Sequence, residues 1–349
     1  MRRVPPVRFR GGCEKVEERR RPAGWREMER ERSVPMIAVV GPTATGKTDV
    51  GVALAERLGG EIISADSMQI WRGMDIGTAK PDAALRARVR FHLLDVADIR
   101  EDFSVARFQR MALEAVRDIL SRGKVPLLVG GTGLYVRAVV DGLRMPPPAD
   151  PAVRARLQEE ALRMGSRALH ARLARVDPQS ASRVSPNDTK RIVRALEVFE
   201  TTGRTLTEWN ERDRARRRES PWLQFGLYCE RDELNRRIDA RVDAMLRAGW
   251  VDEVRSLMVG GLRPGLQSAC ALGYQEIMRL LTEGGSPEET ARAIKTATRR
   301  FAKRQRTWFR ADPRIVWVDV TRKRPEEVAE EILRLMSRPA QQQKNDARP

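Results

Sequence analysis

The sequence predicts a parallel α/β protein interrupted by an all-helical excursion. Three observations predict it. Short apolar runs alternate with helical patterns, the first run leads into a glycine-rich GPTATGKT, and no convincing strand occurs between about residues 146 and 221.

MIAVV, at 36–40, is the first candidate strand, and GPTATGKT then opens a helical pattern. Further short apolar runs at 61–64, 91–94 and 125–129 supply the next strands, separated by helical stretches. The proline cluster Pro146-Pro147-Pro148 then breaks the alternation. PAVRARLQEEALRM and DTKRIVRALEVFETTG read as helices, and the run ERDRARRRESP closes the excursion. The strand pattern returns at 223–229 and 315–318, flanking the helix-patterned TATRRFAKRQRTWFRAD. The core is thus expected over 36–145 and 222–338, with a helical insertion domain over 146–221. Residues 1–35 form a charge-dense, Arg-rich run with almost no apolar periodicity, expected to be disordered and consistent with a native start at Met28 or Met36. Residues 339–349 read as a frayed tail.

The 349-residue chain is 41% hydrophobic, enough for a sizeable core. Lys and Arg total 66 against 48 Asp and Glu, a formal charge of +18, which points to an acidic partner, nucleic acid ahead of a membrane surface. An arginine-rich coding bias is the bland alternative. Three separated cysteines, Cys13, Cys229 and Cys270, with no C-x-x-C pair, argue for a reducing compartment and against a Cys-rich zinc site. No apolar stretch approaches the ~20 residues of a membrane span. A soluble cytoplasmic protein is expected.

Gly41, Pro42, Thr43, Ala44, Thr45, Gly46, Lys47 and Thr48 match G-x-x-x-x-G-K-[ST] between a strand and a helix, the setting of a phosphate-binding loop. Backbone N–H groups and the helix N-terminus favour an anion, Lys47 adds charge, and the Thr48 hydroxyl can ligate Mg²⁺. The loop alone does not identify the phosphate. Asp95 in FHLLD and Asp319 in VWVD are weak candidates for the metal-binding strand end of an NTPase.

ADSMQIWRGMDIGTAKP places Asp66, Ser67 and Gln69 past the carboxyl end of the second strand, the ligand edge of an open α/β sheet. Asp66 there could serve as a general base or as a helix N-cap, and the residues leave both open. Near the C-terminus, Arg299, Lys303, Arg306 and Arg310 fall on one helix face, interleaved with Phe301, Trp308 and Phe309, a pattern suited to RNA. A solvated face with aromatics packed inward is the alternative. His92 and His170 have no evident catalytic partners.

Taken in order, GPTATGKT, ADSMQIWRGMDIGTAKP, HLLD, LLVGGTGLYVRAVVDGL, SPNDTKRIVRALEVFETTGRTLTEW, ALGYQEI and TRRFAKRQRTWFR make the chain resemble the bacterial tRNA dimethylallyltransferases over about residues 36–338. The resemblance implies a P-loop kinase-like α/β core with the helical insertion. It also implies transfer of a dimethylallyl group from dimethylallyl diphosphate to N6 of the adenosine 3′ of the anticodon in tRNA, with Mg²⁺. By the same resemblance, residues 41–48 hold the diphosphate and Thr48 the metal. Asp66 accepts the N6 proton, Thr132 faces the reaction channel, and Lys47 with Arg241 and Arg237 neutralises the diphosphate.

The resemblance further implies tRNA contacts from Asp66, Ser67, Met68 and Gln69, from Thr132 and Arg154, and from Lys190, Arg191, Ile192, Val193 and Arg194. It implies more from Cys270, Ala271, Leu272, Gly273, Tyr274 and Gln275, and from Lys303, Arg304, Gln305, Arg306, Thr307, Trp308, Phe309 and Arg310. The insertion is expected to close over the anticodon stem-loop of a base-flipped tRNA, and the protein to act as a monomer away from membranes. Trp71 stands where relatives commonly show Tyr, and no C-terminal zinc finger is present. A P-loop small-molecule kinase, an AMP-type isopentenyltransferase and an NTP-gated RNA-binding protein are the competing readings.

Overall fold

The computed structural model describes residues 34–147, 150–214 and 220–337. The expectations for residues 1–35 and the tail therefore fall almost wholly outside the described residues, as does part of the charged run ending the insertion.

Six strands, β1 (Met36–Val40), β2 (Gly60–Ser64), β3 (Phe91–His92), β4 (Val125–Gly130), β5 (Trp222–Tyr228) and β6 (Val316–Asp319), form one sheet. All pair in parallel, in the order β3-β2-β4-β1-β5-β6. Each falls on a strand expected from the sequence. The third is shorter than its apolar run because Leu93 and Asp95 adopt left-handed backbone, with φ of 63° and 57°, and leave the ladder.

Helix α1 (Lys47–Leu58) follows β1 directly. It packs with α14 (Pro325–Met336) on one sheet face, over a core that includes Ile37, Val39, Ile62, Leu127, Phe225 and Ile332. The continuous burial of β1 and β4 explains their unbroken apolar runs, since parallel strands are covered on both faces. Between β2 and β4 lie α2 (Ala83–Arg88) and α3 (Val105–Ser121), and α4 (Gly133–Val140) follows β4.

The helices α5 (Pro151–Met164), α6 (Ser166–Val176), α7 (Pro178–Arg183), α8 (Thr189–Thr202) and α9 (Leu206–Arg214) fill the interval before β5, which contains no strand among the described residues. Leu157, Leu169, Leu173, Ile192 and Leu196 bury one another there. At ~1.5–3 kcal/mol per buried aliphatic side chain, this is a substantial core of its own. Asp150 caps α5, accepting from the Ala152 N–H at 2.9 Å ahead of Pro151, and Asp188 caps α8, accepting from the Arg191 N–H at 3.1 Å. After β5 come α10 (Arg231–Arg247), α11 (Trp250–Val259), α12 (Tyr274–Glu283) and the long α13 (Pro287–Arg310).

The strand order decides where chemistry can occur. β4 lies between β1 and β2, so the ends of all three strands lie side by side at the carboxyl edge.

Candidate active site

The loop between β1 and α1 has the local geometry its residues dictate. Ala44 and Gly46 both take positive φ, 64° and 77°, which turns the loop back on itself. Thr45 Oγ1 donates to the Pro42 carbonyl at 2.8 Å, and Lys47 Nζ donates to the same oxygen at 2.6 Å. Loss of hydration, helped by the positive charge of Arg241, lowers the Lys47 ammonium to about 7, with Asp66 acting in the opposite sense. Burial also lowers the Arg241 guanidinium, against Asp66 and Asp49. Two cations crowded into one dry corner are a ready receptor for a multiply charged anion.

Across β4, backbone bonds fix the position of Asp66. The Ala65 N–H donates to Val129 at 2.8 Å, and the Thr132 N–H donates to the Ala65 carbonyl at 3.1 Å. Gly130 is required at this crossing, because a Cβ there would lie 2.2 Å from the Ala65 carbonyl oxygen. The Thr132 hydroxyl accepts the Ser67 N–H at 3.0 Å and lies 3.2 Å from the Ser67 hydroxyl. Asp66 Oδ1 accepts the Met68 N–H at 2.8 Å, so Asp66 organises its own turn. Residues 65–82 contain no helix, so Asp66 is not a helix cap.

Two adjoining cavities, of about 490 and 260 Å³, have Thr43, Ala44, Asp66, Thr78, Arg241 and Phe301 in both linings. The smaller is polar and includes Lys47, Thr48, Asp49 and Lys80. The larger runs past Ser67, Met68 and Thr132 to the apolar Ile238, Val242, Met245 and Leu272. A phosphate cradle and a carboxylate thus face one continuous space, the arrangement for moving a group off a phosphate onto a nucleophile.

Gln69, Cys270, Ala271, Leu272 and Gln275 reach these walls. Other expected site residues sit elsewhere. Ile192 and Val193 are buried inside the helical insertion, and Phe309 is also buried, so they present no side chain to a nucleic acid. Tyr274 is buried and donates to Glu253 at 2.6 Å, while Gly273 packs against Trp250. Arg154 and Arg194 both bind the buried Glu197, at 2.8 and 3.0 Å, so they brace the helices. Lys190 and Arg191 remain exposed beside them.

On α13, Arg299 is tied to Asp239 at 2.6 Å, which removes it from the expected cationic face. Lys303, Arg304, Thr307, Trp308 and Arg310 are exposed, and Arg306 is half-buried. Gln305 points inward to the phosphate loop. Arg237 points away, to Glu233 and the Val320 carbonyl at 2.9 and 3.1 Å. Trp71 is buried edge-on against Phe103 at 6.2 Å and lines neither cavity.

Neither weak metal candidate lines the polar cavity. Asp95 is held by Lys80 at 2.5 Å and Arg86 at 3.2 Å, and Asp319 ends the edge strand β6. The histidines are structural: His92 binds Glu61 at 2.8 Å, and His170 binds the Ala181 and Val184 carbonyls at 3.0 Å.

Sequence reasoning missed Glu253. Its Oε2 accepts the N–H groups of Asp75 and Ile76 at 2.8 and 2.7 Å, and Oε1 accepts from Gly77 at 3.3 Å, which shapes the loop carrying Thr78. No local signal marks it, because the loop groups it holds lie more than 170 positions away along the chain.

Comparison with known proteins shows what the chain is similar to. The IPP transferase family profile matches residues 69–312. The tRNA dimethylallyltransferase of Desulforudis audaxviator is 52% identical over 286 residues, covering 82% of this chain and 92% of that protein. That of Geobacter sulfurreducens is 48% identical over 284 residues, covering 81% and 91%. Among solved structures, the tRNA isopentenylpyrophosphate transferase of Bacillus halodurans matches with a TM-score of 0.65 at 40% identity, covering 88% of this chain and 97% of that one. A eukaryotic dimethylallyltransferase acting on tRNA matches with a TM-score of 0.74 at 26% identity, covering 87% and 79%.

Proposed function

Because this chain belongs to the IPP transferase family, whose members it matches are named tRNA dimethylallyltransferases, we propose that it transfers the dimethylallyl group of dimethylallyl diphosphate to N6 of the adenosine 3′ of the tRNA anticodon. One observation supports this site assignment above the others: the phosphate loop and Asp66 open onto one space, with Thr43 and Ala44 at the junction.

The diphosphate sits in the polar cavity, against the loop N–H groups, Lys47 and Arg241, with the dimethylallyl chain directed along the apolar wall. The adenine enters the larger cavity with its N6 amine at Asp66, whose Oδ2 takes no hydrogen bond among the described residues. As N6 bonds to the allylic carbon, the carbon–oxygen bond breaks and its electron pair leaves on diphosphate. The N6 proton passes to Asp66. Charge building on the leaving group is met by Lys47 and Arg241, already desolvated there, so little reorganisation is needed.

The Thr48 hydroxyl and the Asp49 carboxylate, both lining the polar cavity, are hard oxygen donors and fit Mg²⁺. When bound, Mg²⁺ would add charge neutralisation at the diphosphate. We extend the reading to a cytoplasmic monomer. No helix of the described residues is long and apolar enough to cross a membrane, and the cysteine pattern suits a reducing compartment.

The test is incubation with labelled dimethylallyl diphosphate, Mg²⁺ and either tRNA or AMP. Label is expected in tRNA only. Transfer to AMP alone, or phosphorylation from ATP without prenyl transfer, would overturn the assignment.

A further inference from the structure

The larger cavity of the proposed site has one wall that is held rigidly from behind. Trp250 opens α11 and lines the larger cavity only, with Gly77 beside it. The residue is 2% exposed. A Cβ on Gly77 would lie 2.1 Å from the indole Nε1, and a Cβ on Gly273 would lie 2.0 Å from the ring carbon Cη2, so two backbone stretches close on the ring. Tyr274 packs edge-on against it, at 5.6 Å between centroids and 72° between planes. Glu253, on the same helix, accepts the Tyr274 hydroxyl at 2.6 Å and the Ile76 N–H at 2.7 Å, which ties both neighbouring segments to α11. Held on three sides, the indole is a fixed surface.

That surface stands where the chain of the donor runs out. Arg241 lines both cavities, whereas Val242 and Met245 on α10 line the larger one only. Thr78 likewise lines both, and Gly77 the larger one only. Both segments therefore lead away from the phosphate cradle, and Trp250 packs on the far member of the second, Gly77. From Arg241 to Met245 is about one helical turn, ~6 Å. A dimethylallyl chain is shorter than that step, and a geranyl chain is longer. With the diphosphate in the cradle, the shorter chain ends before the indole and the longer one runs into it.

We propose that Trp250 sets the length of the allylic chain the enzyme accepts, admitting the five-carbon dimethylallyl donor and excluding the ten-carbon geranyl one. The proposal rests on dimethylallyl transfer to tRNA as the activity. Both donors carry the same diphosphate and an apolar chain, so space alone separates them. Met245 is unbranched and adapts its shape, so it sets no firm limit; a ring locked between two glycines does.

The test uses the full chain and tRNA, with dimethylallyl and geranyl diphosphates compared as donors. The wild type is expected to favour dimethylallyl diphosphate in kcat/KM. Trp250→Ala should raise the geranyl-to-dimethylallyl ratio by at least about tenfold, the lower end of what one methylene is worth in an apolar pocket. Trp250→Leu, which keeps an apolar side chain in the packing, should move the ratio the same way by less. Each ratio is internal to one variant, so a reduced folded fraction cancels. A wild type that uses both donors equally, or a ratio unchanged in both variants, overturns this proposal alone. Absence of dimethylallyl transfer by the wild type overturns the activity assignment and this proposal with it.

Discussion

Gln305 Oε1 accepts the Thr43 N–H at 2.8 Å, binding α13 to the phosphate loop, while its Nε2 donates to the Gly131 carbonyl at 3.0 Å. One buried amide thus spans the two loops that form the channel. Gln305→Leu leaves both backbone groups without their partner, at ~1–3 kcal/mol each. Urea unfolding should show a loss of ~2–5 kcal/mol, together with a lower kcat/KM for dimethylallyl diphosphate. Unchanged stability would return Gln305 to the RNA-facing surface.

Asp66→Asn keeps an oxygen for the Met68 N–H and removes the base. Loss of a positioned proton acceptor should slow single-turnover transfer by ~10²–10⁴-fold while tRNA affinity changes little. Asp66→Ala should behave alike. A wild-type rate in either variant removes Asp66 from proton transfer.

Lys47 carries a pH signature. Its ammonium is lowered to about 7, so the folded protein holds that proton less tightly than the unfolded chain, whose ordinary value is 10.5. The ligand-free fold is therefore penalised fully below about 7 and relieved as pH rises toward 10.5. The melting temperature of the wild type relative to Lys47→Met should rise across that window. Inorganic diphosphate favours the charged amine, so calorimetry in buffers of different ionisation heat should show proton uptake above about pH 7 that Lys47→Met lacks. Equal uptake in both proteins would place the titrating group elsewhere.

Glu253→Ala strips the acceptor from Asp75, Ile76 and Gly77 and from the Tyr274 hydroxyl. The expected cost is ~2–4 kcal/mol, read as a lower denaturant midpoint, with Glu253→Gln intermediate. A midpoint within error of the wild type would show that the loop holds its shape without Glu253.

Arg306→Ala and Arg310→Ala should weaken binding to all tRNAs. Each lost phosphate contact should also flatten the slope of log K against log salt by ~0.7–0.9. Filter binding across a KCl series reads both effects. An unchanged slope would make these arginines a solvated face only.

The strands and the phosphate loop were legible because their signals are local. A short apolar run, a glycine-lysine spacing and a helix start involve residues within a few positions of one another. The face of α13 was only partly legible. Helical spacing placed Arg299 with Lys303, but Asp239 on α10 draws Arg299 into an ion pair. Ile192 and Val193 lie in a tRNA-matching stretch, yet the insertion's core claims their side chains. Nothing local to Arg154 records its pairing with Glu197, 43 residues on.

The sequence by itself determined the elements, the phosphate-loop geometry and, through its ordered motifs, the family. These follow from bonds between near neighbours and from residue types that keep their chemistry in any surroundings. Only the tertiary structure decided that Asp66, Thr132 and Lys47 share a site, because the order β2-β4-β1 sets side by side three strand ends that are distant in sequence. It also decided that Gln305 faces inward and that Glu253 shapes the channel loop. Burial and pairing depend on what folds against a residue, and no local pattern records that.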